Sequence, residues 1–373
     1  MKEIIFILSS LNDPHYRKRV EEFMDHGYEV TVYGFTRTGR ELPESRYTPI
    51  VLGDIQNRSF RSRISILNSR IKSISKNCKG KLCFYSSMDI AIFASMYIKS
   101  PYIYEVCDLT ELTIGNKLVR TVLSRMNVHY IRKSLTTIIT SEGFAEHFRQ
   151  IDPGKFSLIP NKVSPLIPPY NGERKSIDKD IIKIGFAGVI RFETIYHFVK
   201  ACVEYGRNIE LHLFGIYNNT DEWSLKIQAL EQNHDNIIYH GSFSNPDDLP
   251  DIYKGIDMVL CTYSPTLGVK YAEPNKLYEA IYFRCPIIVS ENVFLGDKVK
   301  RLNVGYVINA MDENNIKAFL SGLNEADYDR KIRACENIPQ SDCLNINEDF
   351  FKSLEICLSD RKDLLRCVTL SSE

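Results

Sequence analysis

The residues best placed to do chemistry lie between Gly268 and Ser290, in the run GVKYAEPNKLYEAIYFRCPIIVS. A polar cluster of Lys270, Glu273, Asn275, Lys276 and Glu279 leads into a short helical pattern, and Pro286 then opens an apolar strand. In an α/β protein that order sets charged groups at a helix N-terminal end, beside the carboxyl ends of parallel strands, where ligands bind. The bland reading is an ordinary strand–loop–helix–strand unit with a solvated loop. Glu105 and Asp108 form a second set, ending a buried-looking strand in YEVCDL. A carboxylate at such a strand tip can orient a hydroxyl or act as a base. Asp108 would serve equally well as an N-cap for the segment that follows.

The elements that must position these groups are short, continuous, β-branched apolar runs alternating with helical patterns. In the first half the runs are 4–8, 30–35, 49–52, 82–86, 102–106 and 136–140; in the second they are 181–187, 209–214, 237–239, 258–262, 286–290 and 305–308. Strands covered by helices on both faces read this way, so each half is expected to be a doubly wound, Rossmann-like α/β lobe. Between them, residues 159–180 carry Pro160, Pro165, Pro168, Pro169 and a polar NGERKSIDKD run, the best linker in the chain. The expected division is an N-terminal lobe over 1–165, a second lobe over 166–345 and a helical segment over 346–373.

Composition and missing motifs exclude several classes. With 373 residues, 44% apolar and 25% charged, the chain reads as a soluble two-domain protein. No CxxC occurs among ten cysteines, which sit mostly in apolar or helical runs, so neither a zinc ribbon nor a disulfide framework is expected. The first strand is followed by SSLNDPHYRKRV, without the glycines that bring backbone to a pyrophosphate in dinucleotide enzymes, and no P-loop is present. The DxD at Asp178–Asp180 falls in the linker and reads as a solvated loop rather than a metal site. The N-terminus shows no signal peptide and no apolar run approaches the ~20 residues of a membrane span, so a cytoplasmic location is expected.

Six segments in order resemble bacterial glycosyltransferases of the GT-B fold, specifically family-4-like enzymes of surface polysaccharide assembly. They are DPHYRKRVEEFMDHGYEVTVYGF (13–35), YEVCDLTEL (104–112), TTIITSEGFAEHF (136–148), FSLIPNKV (156–163), IGFAGVIR (184–191) and PNKLYEAIYFRCPIIVS (274–290). The resemblance covers roughly residues 1–310. It implies two Rossmann-like lobes with an interlobe cleft, the donor nucleotide sugar on the second lobe and a saccharide or lipid-linked acceptor on the first. After residue 340 it implies terminal helices that return to the first lobe.

The resemblance also assigns roles. Asp13 and Arg17 would sit in a loop facing the cleft, with Arg17, Glu105 and Glu142 on the acceptor side. Leaving-group charge would be met without metal or other cofactor: backbone at Gly188, the glycine-bearing first turn of the second lobe, and Arg191 would reach the diphosphate. Relatives carry a lysine about five residues after that arginine, where this chain has Ile195 and Tyr196; Lys270 or, better, Lys276 would substitute. Asn275 falls within the matched signature. Glu279 matches the second of the family's paired glutamates, which accepts from ribose hydroxyls. The first would fall at Tyr271, and Glu273 is two residues out of register. Most relatives retain anomeric configuration, which needs no protein base; an inverting reaction would need Asp108 or Asp13. UDP is the favoured carrier, with base contacts expected from backbone near 215–217 and 241–243. Glu142 has a local alternative as a first-turn helix glutamate, and Arg191 as a surface arginine.

Charge is uneven: residues 1–165 carry a net +8 and residues 166–373 a net −8, which points to an anionic partner for the first lobe. Between 55 and 81 stand Arg58, Arg61, Arg63, Arg70, Lys72, Lys76, Lys79 and Lys81 with no acidic residue. Phe60, Ile64, Leu67, Ile71 and Ile74 form an amphipathic stripe within that stretch. This suits a core-packed helix with a solvated basic face, and also peripheral attachment to an anionic membrane surface at the inner face of the cytoplasmic membrane. No nucleic-acid motif accompanies it, and nucleic acid is not an expected partner. Two other readings share the architecture: a non-catalytic nucleotide- or glycan-binding scaffold subunit, and a nucleotide-sugar epimerase, which lacks the PNKL-like signature.

Overall fold

The computed structural model describes the chain except Met1, residues 37–41, 43, 56–59, 175, 178, 179, 207 and 371–373, and describes only the backbone of 60 and 360–370. Asp178 of the DxD and Arg58 of the basic run therefore lie outside the described residues. Two compact units form, one from Met1–Ile159 with Asn347–Glu373, the other from Pro160–Ile346.

The first unit contains a seven-stranded sheet of β1 (Lys2–Leu8), β2 (Tyr28–Thr36), β3 (Ile50–Asp54), β4 (Leu82–Tyr85), β5 (Tyr102–Val106), β6 (Thr136–Ile139) and β7 (Phe156–Leu158). Its spatial order is β3-β2-β1-β4-β5-β6-β7, with every pairing parallel. The second unit holds β8 (Ile182–Ile190), β9 (Ile209–Tyr217), β10 (Ile237–Gly241), β11 (Met258–Cys261), β12 (Ile287–Ser290) and β13 (Gly305–Ile308). These lie in the order β10-β9-β8-β11-β12-β13, again all parallel. Each order reverses once, between β1 and β4 and between β8 and β11. Such switch points leave a crevice at the strands' carboxyl ends.

Consecutive strand residues are buried on opposite faces, as parallel strands covered twice require. Met258, Leu260 and Ile288 enter one core with helices Glu193–Tyr205 and Glu313–Gly322, whereas Val259, Cys261, Ile287 and Val289 enter another with helices Lys276–Tyr282 and Phe294–Leu302. In the first unit Ile4, Phe6, Leu8, Phe84 and Ile103 pack against helix Pro14–Asp25. Phe350, Phe351 and Leu354 of helix Glu348–Leu370 join that same core.

Several boundaries differ from those read in the sequence. The units divide before Pro160 rather than at 165/166, because Val163 and Ile167 pack in the second unit and Val163 bridges Leu344 there. FSLIPNKV begins not with a lead-in but with edge strand β7, whose three residues are too short and too open to give an apolar signal. IGFAGVIR is not a turn at Gly188: β8 continues through it to Ile190, paired with β9. Gly188 and Gly215 are directly opposed in that pairing, both at positive φ. A Cβ on Gly215 would lie 1.7 Å from the Gly188 carbonyl oxygen, so only glycine allows the two backbones to approach so closely.

Candidate functional site

In the second unit the carboxyl ends of β8, β11 and β12 are tied together locally. Thr194 Oγ1, in the first turn of helix Glu193–Tyr205, donates to the Thr262 carbonyl at 3.0 Å, and Tyr263 N–H donates to Ser290 Oγ at 2.9 Å. The loop after β11 is anchored where Phe294 N–H donates to the Lys270 carbonyl at 2.7 Å. It delivers Asn275 to the N-cap position of helix Lys276–Tyr282, although the asparagine side chain does not cap; its Nδ2 donates to Glu279 Oε1.

Lys276 is the most telling side chain. It is only 9% exposed, and its ammonium stands 5.3 Å over the Phe186 ring. A Cβ placed on Gly188 would come within 3.3 Å of that ammonium. No carboxylate, carbonyl or hydroxyl among the described residues accepts from it. Its positive charge lowers the pKa of the buried Cys261 thiol, although burial, the larger effect, leaves that thiol raised to about 11. Lys276 and Gly188, far apart in sequence, therefore meet at the β8/β11 switch point.

Glu279 is 4% exposed and engaged at both oxygens, with acceptor capacity to spare: Tyr253 O–H donates to Oε2 at 2.8 Å, while Asn275 and Asn245, the latter at 3.5 Å, donate to Oε1. Arg191, just beyond β8, is exposed and lies 5.2 Å over the Phe192 ring; its charge also acts on Tyr263, whose ring packs edge-on against Phe192. Lys270 is exposed, 5.6 Å over Tyr271. Glu273 does not take the vacant glutamate role, because it is buried with Lys298 Nζ donating to its Oε1 at 2.8 Å and Tyr278 O–H donating to the same oxygen.

In the first unit, the ends of β1, β4 and β5 carry a different set of groups. Ser9 N–H donates to Ser86 Oγ at 2.8 Å across the β1/β4 switch point. Asp13 is the N-cap of helix Pro14–Asp25, accepting from His15 N–H at 3.0 Å, with Pro14 preset for the first turn. Asp108 is solvent-accessible and follows β5. Surrounding protein pushes its carboxyl pKa up, with a further push from Asp13 and an opposing one from His15. It does not cap the following 3₁₀ turn, whose N-cap is Leu109.

Glu105 is corrected as an acceptor-side group, since it is fully buried. Arg19 donates to its Oε1 through Nε at 3.2 Å and Nη2 at 2.9 Å, and His15 Nε2 lies 3.0 Å from the same oxygen. Burial alone would raise this carboxyl, but Arg19 and then His15 overcome it and hold it down to about 2. Arg17 points to the loop before β3, donating to the Glu44 carbonyl at 3.1 Å. Glu142 stands in the first turn of the six-residue helix Glu142–His147, whose cap is Ser141.

His15, Glu105 and Cys107 bring one ligand atom each within 4.8 Å of one another, the only such trio among the described residues. It is a poor metal site. The Arg19 guanidinium already neutralises the carboxylate through Oε1, and burial followed by the Glu105 charge drives the Cys107 pKa well up, favouring the neutral thiol. His15, Arg19 and Tyr253 were not singled out by sequence reasoning. The available signal was Glu105 itself, since a carboxylate inside the apolar run YIYEV demands a cationic partner.

The two doubly wound parallel sheets, each with its own switch point, give the chain the two-lobe GT-B fold of glycosyltransferases. Solved structures similar to it include sucrose-phosphate synthase from Thermosynechococcus elongatus (TM-score 0.64, 13% identity, 99% of this chain and 100% of that one). A glycosyltransferase from Rickettsia africae matches with TM-score 0.66, 13% identity and coverage of 95% and 98%. HepE from Anabaena, in complex with UDP and glucose, matches with TM-score 0.65, 12% identity and coverage of 95% and 100%. Among characterised sequences, the succinoglycan biosynthesis protein ExoL of Rhizobium meliloti (strain 1021) is 22% identical, with 90% of this chain and 89% of that protein aligned. No protein-family model matches the chain. Among the described residues no helix is long and apolar enough to cross a membrane.

Proposed function

We propose that the protein is a glycosyltransferase of polysaccharide biosynthesis that moves a sugar from a nucleoside diphosphate to a saccharide or lipid-linked saccharide acceptor. The observation that carries this reading is the Lys276 ammonium, enclosed at the β8/β11 switch point against a glycine-opened backbone and left without a protein acceptor. A diphosphate supplies the missing acceptor, and its charge grows as the bond from the anomeric carbon to phosphate breaks. Arg191 adds a second cation at the rim of the same strand, and Lys270 a third on the loop.

In this reading Glu279, steadied by Tyr253, Asn245 and Asn275, accepts from the ribose hydroxyls. UDP is the proposed carrier, supported by the HepE structures with UDP, with UDP and glucose together, and with UDP-glucose. No metal is assigned, and transfer is proposed to retain configuration. On the first unit Asp108 and Asp13 are the groups for the acceptor hydroxyl. Arg17 and Glu142 complete the proposed acceptor side.

A thermal-shift panel of UDP-, GDP-, ADP- and CMP-sugars tests donor binding, since a ligand of the native state raises its stability with saturation. A UDP-sugar should shift the midpoint and be turned over, and Lys276→Ala and Glu279→Ala should each abolish turnover. Tight nucleotide binding without turnover on any acceptor would instead mark a scaffold subunit, and no shift with any nucleotide sugar would sink the donor site.

A further inference from the structure

The first unit presents a surface that neither the sugar chemistry nor the basic run 55–81 uses. Helix Lys117–Lys133 buries one face through Asn127, Tyr130 and Ile131. Its outer face leaves Leu118 79%, Val119 45% and Val122 54% exposed. A single exposed aliphatic is ordinary, but three within the first two turns of one helix form a patch.

The charge around that patch has one sign. From 112 to 141 the chain has no Asp or Glu and carries Lys117, Arg120, Arg125, Arg132 and Lys133. No carboxylate among the described residues pairs with any of these five. Three of the arginines line a cavity of about 640 Å³ together with Ser124, His129 and Gln150, and Arg132 Nη2 donates to the Gln150 carbonyl at 3.3 Å.

Helix Phe60–Ile74 is a weaker candidate on the same criteria. Its apolar stripe is spent inward, with Leu67, Ile71 and Ile74 buried and only Ile64 partly open among the side chains described. Arg63 is held by Asp89 at 2.9 Å, and Lys81 by Glu3 at 2.5 Å. Of its own stripe, only Ile64, 38% exposed, remains as an apolar anchor for the other cations.

We propose that the outer face of helix Lys117–Lys133 docks on an anionic lipid bilayer. Leu118, Val119 and Val122 seat among the acyl-chain ends while Arg120, Arg125 and Arg132 hold lipid phosphates. Apolar insertion plus electrostatic attraction is how interfacial helices bind membranes, and neither alone is strong. The inference does not depend on glycosyl transfer. It moves the expected membrane contact from 55–81 to a helix with both components.

The test is co-sedimentation of the full chain with phosphatidylglycerol–phosphatidylcholine vesicles and with phosphatidylcholine alone, at low and raised salt. The expected result is binding to the anionic vesicles only, weakened by salt. L118S/V122S and R120Q/R125Q/R132Q should each weaken it about tenfold or more, with melting midpoints unchanged because these side chains make few contacts. R61Q/R70Q/K76Q should weaken it less than about threefold. The proposal is overturned if the wild type ignores anionic vesicles, if both sets on helix Lys117–Lys133 leave binding intact, or if the control set costs as much. It is also overturned if inorganic phosphate at constant ionic strength displaces the vesicles, which would assign the cavity to a free anion. Single-stranded RNA captured by the same arginines without vesicle binding would overturn it as well.

Discussion

Lys276 illustrates how a functional group can be recognised by what it lacks. An enclosed ammonium without an acceptor lowers stability, so its retention calls for an external anion. Lys276→Met keeps the aliphatic stem on Phe186 and removes the charge. The melting midpoint should hold or rise, while the UDP dissociation constant measured by titration calorimetry should increase by roughly 10- to 100-fold, the equivalent of about 1.5–3 kcal/mol for a charged hydrogen bond. A drop in midpoint with unchanged UDP affinity would make Lys276 structural. Glu105 is the opposite case, a carboxylate whose charge is met within the fold by Arg19 and His15 at Oε1. Glu105→Gln removes one of the two carboxylates on the buried Arg19 guanidinium, which keeps Glu22, and should cost about 1.5–3 kcal/mol in urea unfolding. Since the folded pKa of Glu105 is held down to about 2 against an ordinary 4.5, its contribution is complete above about pH 4.5 and is lost as pH falls towards 2. Wild-type stability should therefore decline through that window more steeply than that of the glutamine variant.

At the scale of elements, the opposed glycines on β8 and β9 decide how closely two strand ends approach beside the lysine. Gly215→Ala places a methyl against the Gly188 backbone carbonyl at a φ of +140°, and backbone cannot yield there. We expect a loss of at least about 2 kcal/mol, together with loss of nucleotide binding. Gly188→Ala meets the flexible end of Lys276 instead, at a φ of +149°. Its stability cost should be the smaller, about 1–3 kcal/mol, while nucleotide affinity should still fall because the ammonium is displaced. Equal melting midpoints for the two variants would contradict this ranking.

For the whole molecule, the closing helix joins a core nearly 330 residues earlier in the chain: Phe351 stacks edge-on with Phe23, ring centroids 5.0 Å apart, and Asn347 Nδ2 donates to Glu22 at 2.7 Å. Deleting 347–373 removes Phe350, Phe351 and Leu354 from the first core, roughly 5–9 kcal/mol of apolar burial. That is comparable to the stability of an entire domain. Limited proteolysis of the truncated chain should cut within Met1–Ile159 while Pro160–Ile346 resists; uniform resistance would show that the helix is dispensable.

Much of this architecture was legible in the sequence. Twelve apolar runs gave twelve of the thirteen strands, because a strand buried on both faces must be continuously apolar wherever it pairs. Edge strand β7 escaped, being short and half open, and the extension of β8 and β9 through their glycines escaped because only their mutual approach reveals it. The sequence by itself also determined which residue types could do chemistry and that Asn275, Lys276 and Glu279 shared one segment. Tertiary structure decided which of those charges were already satisfied. Glu105 was claimed by Arg19, 86 residues away, and Glu273 by Lys298, whereas Lys276 was brought to Gly188 and left open. A charge's partner is set by packing between distant elements, which leaves no local mark in the chain, so availability for a ligand emerges only when the fold is complete.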